Sequence, residues 1–377
     1  MKIKKKIVFL TGTRADFGKL RPLIEIVNNS NEFECHIFVT GMHTLSRYDF
    51  TYREVEKRGY KNVFVFTNQN NFENTDIMLA NTIKGFSNFV KEISPDMIVI
   101  HGDRLEALAG AIVGSFNNIL VSHIEGGELT GTIDESIRHA VSKLSHIHFV
   151  SNEDAKKRLV QMGEIEKRIF VIGSPDIDIM MKKDLPTKEG LKKYYGMQFE
   201  KYAILIFHPV TTELDDLENQ TNELVSGAID SKRNYVIIYP NNDPGSEIIL
   251  NVYKKLENNA NFRIYPSLRF EYFLTLLKNA DFIIGNSSSG IIEAEIYSVP
   301  TINVGTRQKN RSSNESIMNI ESKKEKILDS ISKVDGKEIK SSFSFGDGKS
   351  TKRFFDVILS EKIWDVSIQK QFVENYE

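Results

Sequence analysis

The sequence predicts an α/β protein with two domains, each built on a doubly wound and largely parallel sheet. The chain has 377 residues, which is more than one hydrophobic core usually supports. Short apolar runs alternate with segments of helical spacing, and most of these runs end in a polar cluster. The alternation lapses between residues 173 and 186 and then restarts, so we expect the domain boundary there.

The first half of the chain begins with a predicted strand at residues 7–12. Apolar residues then recur at helical spacing over residues 20–27, which predicts a helix. Strands are predicted at 34–40 and 62–66, and a long helix at 77–93. These elements give the strand–helix alternation that is typical of a parallel sheet.

Two further apolar runs, at 97–100 and 119–121, lead into acidic residues. Asp103 follows the first run, Glu125 follows the second, and Asp134 comes just before a helical pattern. Ligands of open parallel sheets bind beyond the carboxyl ends of the strands, so acids at these positions are well placed for chemistry. Each acid alone is more typical of a helix cap or an ion pair. Together they fit acid–base catalysis, which needs carboxyl groups in different protonation states.

The second half repeats the α/β pattern. Its predicted strands cover residues 202–207, 235–239, 282–285 and 301–304. His208 follows the first of these strands and Arg307 follows the last, so both are expected at strand ends. A lone histidine is more often structural, but this placement favours a functional role. Residues 341–350 are predicted to form a surface loop.

Residues 12–19 combine two glycines with the cations Arg14 and Lys19 at the start of the first helix. The N–H groups of a helix start bind phosphate, and an arginine adds a bidentate contact. A plain turn between a strand and a helix, with solvated charges, explains the same residues equally well.

A second candidate for phosphate binding opens the helix that is predicted at 291–297. The hydroxyls of Ser287 and Ser288 and the N–H groups of the helix start suit a diphosphate. Glu293, one turn into this helix, can accept hydrogen bonds from a ribose diol. An ordinary serine cap with a capping-box acid is the alternative explanation.

Composition argues against several classes of function. The net charge of -2 gives no overall attraction to nucleic acid or to an anionic membrane, and no apolar run approaches the ~18 residues of a membrane span. The sequence lacks a His-Glu-x-x-His motif, and its one cysteine, Cys35, fits a reducing cytoplasm better than a metal site or a disulfide. No Gly-x-Gly-x-x-Gly follows the first strand, which disfavours hydride transfer with a nicotinamide.

Seven motifs occur in order along the chain, in a match that runs from about residue 5 to the C-terminus. They lie at residues 11–16, 101–104, 123–128, 134–139, 208–213, 285–288 and 305–308. Together they resemble the hydrolysing UDP-N-acetylglucosamine 2-epimerases of bacterial sialic acid biosynthesis, the NeuC type. Seven ordered motifs are far more specific than any one of them.

The resemblance implies a GT-B-like fold, in which two Rossmann-like doubly wound domains have the active site in the cleft between them. Residues 1–175 would form the N-terminal domain with the acid–base residues, and C-terminal helices at about 355–377 would cross back to it. Residues 176–354 would form the UDP-binding domain. The resemblance also implies that no cofactor is needed, and together with apolar helical faces it favours a homodimer or homotetramer. The expected cytoplasmic location and the expected lack of a metal site come from the residues themselves.

The implied reaction converts UDP-N-acetylglucosamine and water to N-acetylmannosamine and UDP, the first step of sialic acid biosynthesis. Removal of the C2 proton and cleavage of the C1–O bond give 2-acetamidoglucal, and water then adds to its double bond. By motif position, the acid–base roles fall on Asp103, Glu125 and Asp134, and the leaving-group role falls on His208. The implied substrate and UDP contacts are Arg14, Lys19, Arg104, Ser287, Ser288, Glu293 and Arg307.

Three alternatives stay open at this point. An enzyme that hydrolyses UDP-2,4-diacetamido-2,4,6-trideoxyglucose, on the way to legionaminic acid, has nearly the same motifs. A glycosyltransferase shares the fold and the nucleotide site, but it needs only one catalytic base and an acceptor groove. A non-catalytic sensor of nucleotide sugars would not need three acids. The sequence also leaves open which acid removes the C2 proton.

Overall fold

The chain divides into two compact units that have similar internal architecture. The computed structural model describes residues 4–70, 73–130, 133–182, 184–308, 314, 316–334, 339 and 341–374. The first unit comprises residues 1–128, 134–182 and 344–377, and the second comprises residues 129–133 and 183–343.

The described residues of the first unit include seven parallel strands in the order β3-β2-β1-β4-β5-β6-β7. The strands are β1 (Lys5–Thr11), β2 (Phe33–Val39), β3 (Val63–Val65), β4 (Met97–His101), β5 (Leu120–Ile124), β6 (Ile147–Val150) and β7 (Ile169–Val171). The helices are α1 (Arg14–Asn28), α2 (Tyr52–Glu56), α3 (Thr75–Ile93), α4 (Leu105–Phe116), α5 (Ile133–Leu144), α6 (Glu153–Gln161) and α7 (Pro175–Met180).

In the described part of the second unit, six parallel strands lie in the order β10-β9-β8-β11-β12-β13. The strands are β8 (Ala203–Ile206), β9 (Tyr235–Ile238), β10 (Phe262–Tyr265), β11 (Ile283–Gly285), β12 (Thr301–Val304) and β13 (Ile317–Ile320). The helices are α8 (Lys188–Tyr195), α9 (Leu217–Asp230), α10 (Ser246–Tyr253), α11 (Phe270–Lys278), α12 (Glu293–Ile296) and α13 (Lys324–Val334). Two doubly wound parallel sheets are therefore present, as the sequence predicts.

Strand β1 shows why the first sheet needs helices on both faces. Successive side chains of a strand point to opposite faces. Ile7 and Phe9 accordingly pack in one apolar cluster with α1, whereas Val8 and Leu10 pack in another with α3 and α4. All four side chains are buried. Each contributes roughly 1.5–3 kcal/mol to stability on burial, which explains the unbroken apolar run in the sequence.

The last part of the chain belongs to the first unit. Helix α14 (Ser350–Leu359) places Phe354 against Phe149 of β6, with ring centroids 4.9 Å apart, and a 3-10 turn (Glu361–Ile363) follows. Residues 375–377, the end of the predicted C-terminal helices, lie outside the described residues.

The segment before α14 is a loop, as predicted, but part of it is buried rather than at the surface. Phe345 and Ser350 are both enclosed. Two hydrogen bonds to Ser174, which lies just after β7, hold the loop in place. The N–H of Ser174 donates to the carbonyl of Phe345 at 2.7 Å, and Ser350 Oγ donates to the carbonyl of Ser174 at 3.0 Å.

The strand order of each sheet reverses at its centre, between β1 and β4 in the first sheet and between β8 and β11 in the second. At such a switch point the connecting helices leave to opposite faces, and a crevice opens beyond the carboxyl ends of the strands. A functional site is therefore expected among the polar residues that follow these strands. Among the described residues, no helix has the length and apolar character that a membrane span requires.

Candidate active site

A buried ionic network lies at the switch point of the first sheet, and Asp16 is its first member. Asp16 lies in the first turn of α1, where its backbone N–H donates to the Thr13 hydroxyl at 3.0 Å. Its Oδ2 accepts from the N–H of Gly12 at 3.1 Å. The helix cap therefore fixes Asp16 and leaves Oδ1 for another partner.

His101, the last residue of β4, bridges two carboxylates. Its Nδ1 lies 2.8 Å from Asp16 Oδ1, and its Nε2 lies 3.0 Å from Glu125 Oε2. Burial alone would lower the pKa of His101, but Glu125 and Asp16 raise this pKa to about 10. Because both ring nitrogens face carboxylate oxygens, the surroundings of His101 favour the imidazolium cation at neutral pH.

Glu125, directly after β5, is held at both carboxylate oxygens. Oε2 accepts from His101, and Oε1 accepts a short hydrogen bond from the hydroxyl of Ser174. Burial would raise the pKa of Glu125, but Lys19 and His101 hold this pKa well below its usual range. Glu125 is therefore a carboxylate at neutral pH.

The backbone of Glu125 is also unusual, because its φ of 62° lies in the left-handed region. For a residue with a side chain, this conformation costs on the order of 1–3 kcal/mol and persists where neighbours enforce it. Here the N–H of Glu125 donates to the carbonyl of Phe149 at 2.8 Å, and Arg138 donates to the carbonyl of Glu125 at 2.6 Å. These two hydrogen bonds hold the strained backbone that places the Glu125 carboxylate.

Arg138, on α5, joins the three acids that the sequence predicts to be catalytic. Its guanidinium makes a short ion pair with Asp103 while it bonds the Glu125 carbonyl, and it is itself buried. Burial would lower the pKa of Arg138, but Asp103, Glu128, Glu125 and Asp134 raise it. Asp134 lies one helical turn before Arg138 on the same face of α5. Of the three acids, Asp103 thus pairs with Arg138 directly, Glu125 is bonded to it through its backbone carbonyl, and Asp134 acts on it electrostatically.

The predicted nucleotide-binding cations of the first unit each have an acidic neighbour. Arg14 donates to Glu54 at 2.6 Å, and the Nε of Arg104 donates to Glu106 at 3.4 Å. Lys19 Nζ lies 3.0 Å from Asp176 Oδ2, which is buried. Lys19 also acts electrostatically on Glu125, so in this structure it supports the carboxylate network.

The second unit places His208 beyond the end of β8, at the switch point of its sheet. Asn286, after β11, binds the backbone of His208 twice: its Oδ1 accepts from the His208 N–H at 2.6 Å, and its Nδ2 donates to the His208 carbonyl at 2.8 Å. The Nδ1 of His208 accepts from the backbone N–H of Asn241 at 3.1 Å. A neutral His208 therefore carries its proton on Nε2, where it can serve as a hydrogen-bond donor.

The serine-rich turn after β11 is tightly packed against β8. Gly285 has a φ of 130°, and a Cβ atom there would lie 1.9 Å from the carbonyl oxygen of Ile206. Ser287 then caps a 3-10 turn (Ser288–Gly290), and its Oγ accepts from the N–H of Ser289 at 3.3 Å. This half-buried turn follows Asn286, the residue that binds the backbone of His208, and the N–H groups of such a turn suit an anion.

The helix predicted at 291–297 is shorter in the structure. The segment begins with the 3-10 turn, and α12 (Glu293–Ile296) has only four residues, so Glu293 is its first residue and is buried. Arg307, after β12, donates to the carbonyl of Asn286 at 3.2 Å. The predicted residues of the second unit therefore gather at the ends of β8, β11 and β12.

A family model described as UDP-N-acetylglucosamine 2-epimerase matches residues 25–359. The chain belongs to this family. It is 50% identical over 374 residues to the UDP-N-acetylglucosamine 2-epimerase of Neisseria meningitidis serogroup B, and the match covers 98% of this chain and 99% of that protein. It is 34% identical to the UDP-N,N'-diacetylbacillosamine 2-epimerase (hydrolyzing) of Legionella pneumophila, over 94% of this chain and 95% of the relative. The resemblance that the seven motifs indicate is confirmed.

Solved structures of the family show the same fold. The Methanocaldococcus jannaschii UDP-GlcNAc 2-epimerase in complex with UDP-GlcNAc and UDP superposes with a TM-score of 0.81 at 24% identity, covering 94% of this chain and 99% of that one. The Neisseria meningitidis UDP-GlcNAc 2-epimerase bound to UDP-GlcNAc gives a TM-score of 0.78 at 19% identity, with the same coverage. The predicted GT-B-like fold class is confirmed.

Five residues of this epimerase-family chain that hold the predicted site together were not predicted as site residues. They are Asp16, His101, Arg138, Ser174 and Asn286. Four of them lie within the motifs, so the sequence marks their positions but not their contacts. Ser174 lies in the stretch that the sequence marks only as a domain boundary. Among the described residues, no group of three or more His, Cys, Asp or Glu side chains is arranged to hold a metal ion.

Proposed function

We propose that the chain is a hydrolysing UDP-N-acetylglucosamine 2-epimerase, which converts UDP-N-acetylglucosamine and water to N-acetylmannosamine and UDP. The observation that carries this proposal is the group of Asp103, Glu125 and Asp134 around Arg138. Family membership and 50% identity over nearly the full length to the Neisseria meningitidis enzyme support the substrate.

The chemistry of the two switch points fits the two halves of the proposed reaction. Abstraction of the C2 proton needs an ionised base, and Glu125 is a carboxylate held by charged neighbours. Departure of UDP leaves negative charge on the diphosphate, which donors placed in advance stabilise. The Nε2–H of His208 and the turn at Ser287 and Ser288 are such donors, and Arg307 adds a cation beside them.

The hydrolysing outcome is the finer part of the proposal. It requires that water, rather than UDP, adds to the 2-acetamidoglucal intermediate. Two relatives at 34% and 36% identity carry the word hydrolyzing in their names. A relative named polysialic acid biosynthesis protein P7, from Escherichia coli, is 34% identical over 87% of this chain and supports a place in sialic acid synthesis.

The test is proton NMR of UDP-N-acetylglucosamine with the protein in deuterated water. We expect free UDP and N-acetylmannosamine with deuterium at C2. Formation of UDP-N-acetylmannosamine without release of UDP would instead indicate a non-hydrolysing epimerase. An unchanged substrate in the absence of an acceptor sugar would favour a glycosyltransferase and refute the proposal.

One second candidate has a specific observation in its favour, the 34% identity to the Legionella pneumophila enzyme. That candidate is hydrolysis of UDP-2,4-diacetamido-2,4,6-trideoxyglucose. Steady-state assays of UDP release with both sugars at equal concentration separate the two, and we expect the higher kcat/KM with UDP-N-acetylglucosamine.

We further propose that the two compact units correspond to the two domains expected from the sequence, the first carrying the acid–base residues and the second the UDP-binding residues. The proposed roles are those the resemblance implies: acid–base work for Asp103, Glu125 and Asp134, and donation to the leaving group for His208. The proposed substrate contacts are Arg14, Lys19, Arg104, Ser287, Ser288, Glu293 and Arg307. The cytoplasmic location and the homodimer or homotetramer stay predictions.

A further inference from the structure

We propose that His101 is a positioning residue which, by lying as a cation between Asp16 and Glu125, fixes Glu125 in its carboxylate form and in one orientation. This inference rests on the proposed function, because that function gives Glu125 its place in the reaction. His101 acts through Glu125 and needs no contact of its own with substrate.

The geometry requires both ring nitrogens of His101 to donate. Nδ1 lies 2.8 Å from Asp16 and Nε2 lies 3.0 Å from Glu125, and the side chain is only 10% exposed. A neutral imidazole donates from one nitrogen alone, so it would leave one of the two carboxylates facing a lone pair. With both acids ionised, only the imidazolium satisfies them.

The far ends of this three-residue chain are also fixed. Asp16 accepts from the N–H of Gly12 at its other oxygen, so it cannot turn away from His101 without losing a cap bond. Glu125 accepts from the Ser174 hydroxyl at its other oxygen. Ser174 is in turn held by Ser350, which donates to its carbonyl at 3.0 Å. Both oxygens of the Glu125 carboxylate therefore have a fixed hydrogen-bond partner.

Several titratable groups surround the pair of His101 and Glu125. They are Asp16 and Lys19 on α1, Asp103 beyond β4, His123 on β5, Arg138 on α5 and Asp176 on α7. Lys19 is paired with Asp176, and Arg138 is paired with Asp103. Burial lowers the pKa of His123 to about 3, so that ring is neutral and adds no charge.

The balance of these charges explains why His101 keeps its proton. Burial alone would lower the pKa of His101, and Glu125 and Asp16 raise it to about 10. Removal of the Asp16 charge takes away one of these two supports, so His101 should then lose its proton at a lower pH. Glu125 would lose its hydrogen bond whenever the remaining proton lies on Nδ1.

The first experiment measures the protonation of His101 directly in the full chain. Two-dimensional NMR of 15N-labelled imidazoles, with the His101 signal identified by its absence in His101→Gln, should show both nitrogens protonated from pH 6 to about 9. Asp16→Asn should shift this titration to lower pH. The matched control is His36→Gln, which removes a buried histidine bonded to Glu34 at 2.7 Å in the same sheet and should leave the His101 signal unchanged. A neutral His101 at pH 7.5, or an unshifted titration in Asp16→Asn, would overturn the proposal.

The second experiment asks whether His101 acts through Glu125. His101→Gln should lower kcat for UDP release on the order of 10²-fold while KM changes less than about twofold, since a displaced reacting group costs about that much. In Asp16→Asn, kcat should fall on the alkaline side of the pH profile, in step with the NMR titration. In a Glu125→Gln background, His101→Gln should cause no further loss.

Two results would overturn the positioning role: a loss in Asp16→Asn that is equal at every pH, or an undiminished effect of His101→Gln beside Glu125→Gln. Urea unfolding of each variant identifies a loss of activity that comes from misfolding. If His101→Gln does not fold, the isosteric Asp16→Asn still tests the positioning role. If the wild-type protein releases no UDP, the proposed function fails, whereas the imidazole titration still decides the inference about His101.

Discussion

The side-chain amide of Asn286 makes two hydrogen bonds to the backbone of His208, and replacing Asn286 with aspartate should break one of them. The amide Oδ1 accepts from the His208 N–H at 2.6 Å, and the Nδ2 donates to the His208 carbonyl at 2.8 Å. Aspartate has the same shape but no donor. In Asn286→Asp the second oxygen would therefore face the carbonyl of His208.

The structure sets the size of this effect. Asn286 is 1% exposed, so no water replaces the lost donor. An unsatisfied buried carbonyl costs about 1–3 kcal/mol, and a buried carboxylate without a partner adds to that cost. We expect the free energy of unfolding of the second unit to fall by at least about 2 kcal/mol. His208 should also move, and a displacement near 1 Å lowers kcat on the order of 10²-fold.

The assay compares urea unfolding and kcat for UDP release in Asn286→Asp and Asn234→Asp. Asn234 makes the same kind of bond at an exposed position, where its Nδ2 donates to the carbonyl of Lys201 at 3.0 Å. Exposed substitutions usually change stability by less than about 0.5 kcal/mol. If the two variants are equally stable and equally active, Asn286 does not position His208 and the reasoning fails.

Three further predictions follow from other buried contacts. Arg138→Lys keeps the charge but loses the planar guanidinium that contacts both Asp103 and the Glu125 carbonyl, so kcat should fall on the order of 10²-fold. A retained kcat would show that Arg138 does not position these two groups. Burial lowers the pKa of His43 to about 4 and that of His123 to about 3, so both bind protons more readily when unfolded. Urea titrations should show that the free energy of unfolding falls as pH falls from about 6.5 to 4, by about 1.4 kcal/mol per pH unit for each of the two histidines. His123→Asn should remove the contribution of His123 to this pH dependence. Gly285→Ala should destabilise far more than Gly59→Ala in the same assay: both glycines have positive φ, but nothing lies within 4 Å of a Cβ at Gly59. Equal losses would refute the clash with Ile206.

The central strands of both sheets could be predicted because parallel strands buried on two faces are continuous apolar runs. The runs that became β1, β4, β5 and β8 are such cases. Strands β10 and β13 escaped prediction because they lie at the edges of the second sheet, are only partly buried, and have their apolar runs interrupted by Arg263 and Asn319. Strand β7 is also a partly buried edge strand, of three residues. The shortened α12 escaped for a different reason, since a 3-10 turn and an α-helix have nearly the same spacing.

The site was predictable at the level of position and not at the level of contact. The motifs place Asp103, Glu125 and His208 at strand ends, which is a local property of the chain. The bond between Asp16 and His101 joins residues 85 positions apart, and it exists because β1 and β4 are neighbours at the centre of the sheet. Neither apolar spacing nor motif order contains that pairing, so it required the strand order itself.

The two switch points use different electrostatics, and this difference supports the proposed division of labour. In the first unit, His101 and Lys19 hold the buried Glu125 as a carboxylate, and Arg138 pairs with Asp103. In the second unit the corresponding strand ends carry His208, serine hydroxyls and backbone N–H groups, with Arg307 beside them and no carboxylate network of this kind among the described residues. Proton transfer at carbon needs groups whose charge is controlled, whereas a departing diphosphate needs donors that are already in place. Under the proposed function, one sheet topology, used twice in this chain, would serve two different chemical tasks through the residues that follow its central strands.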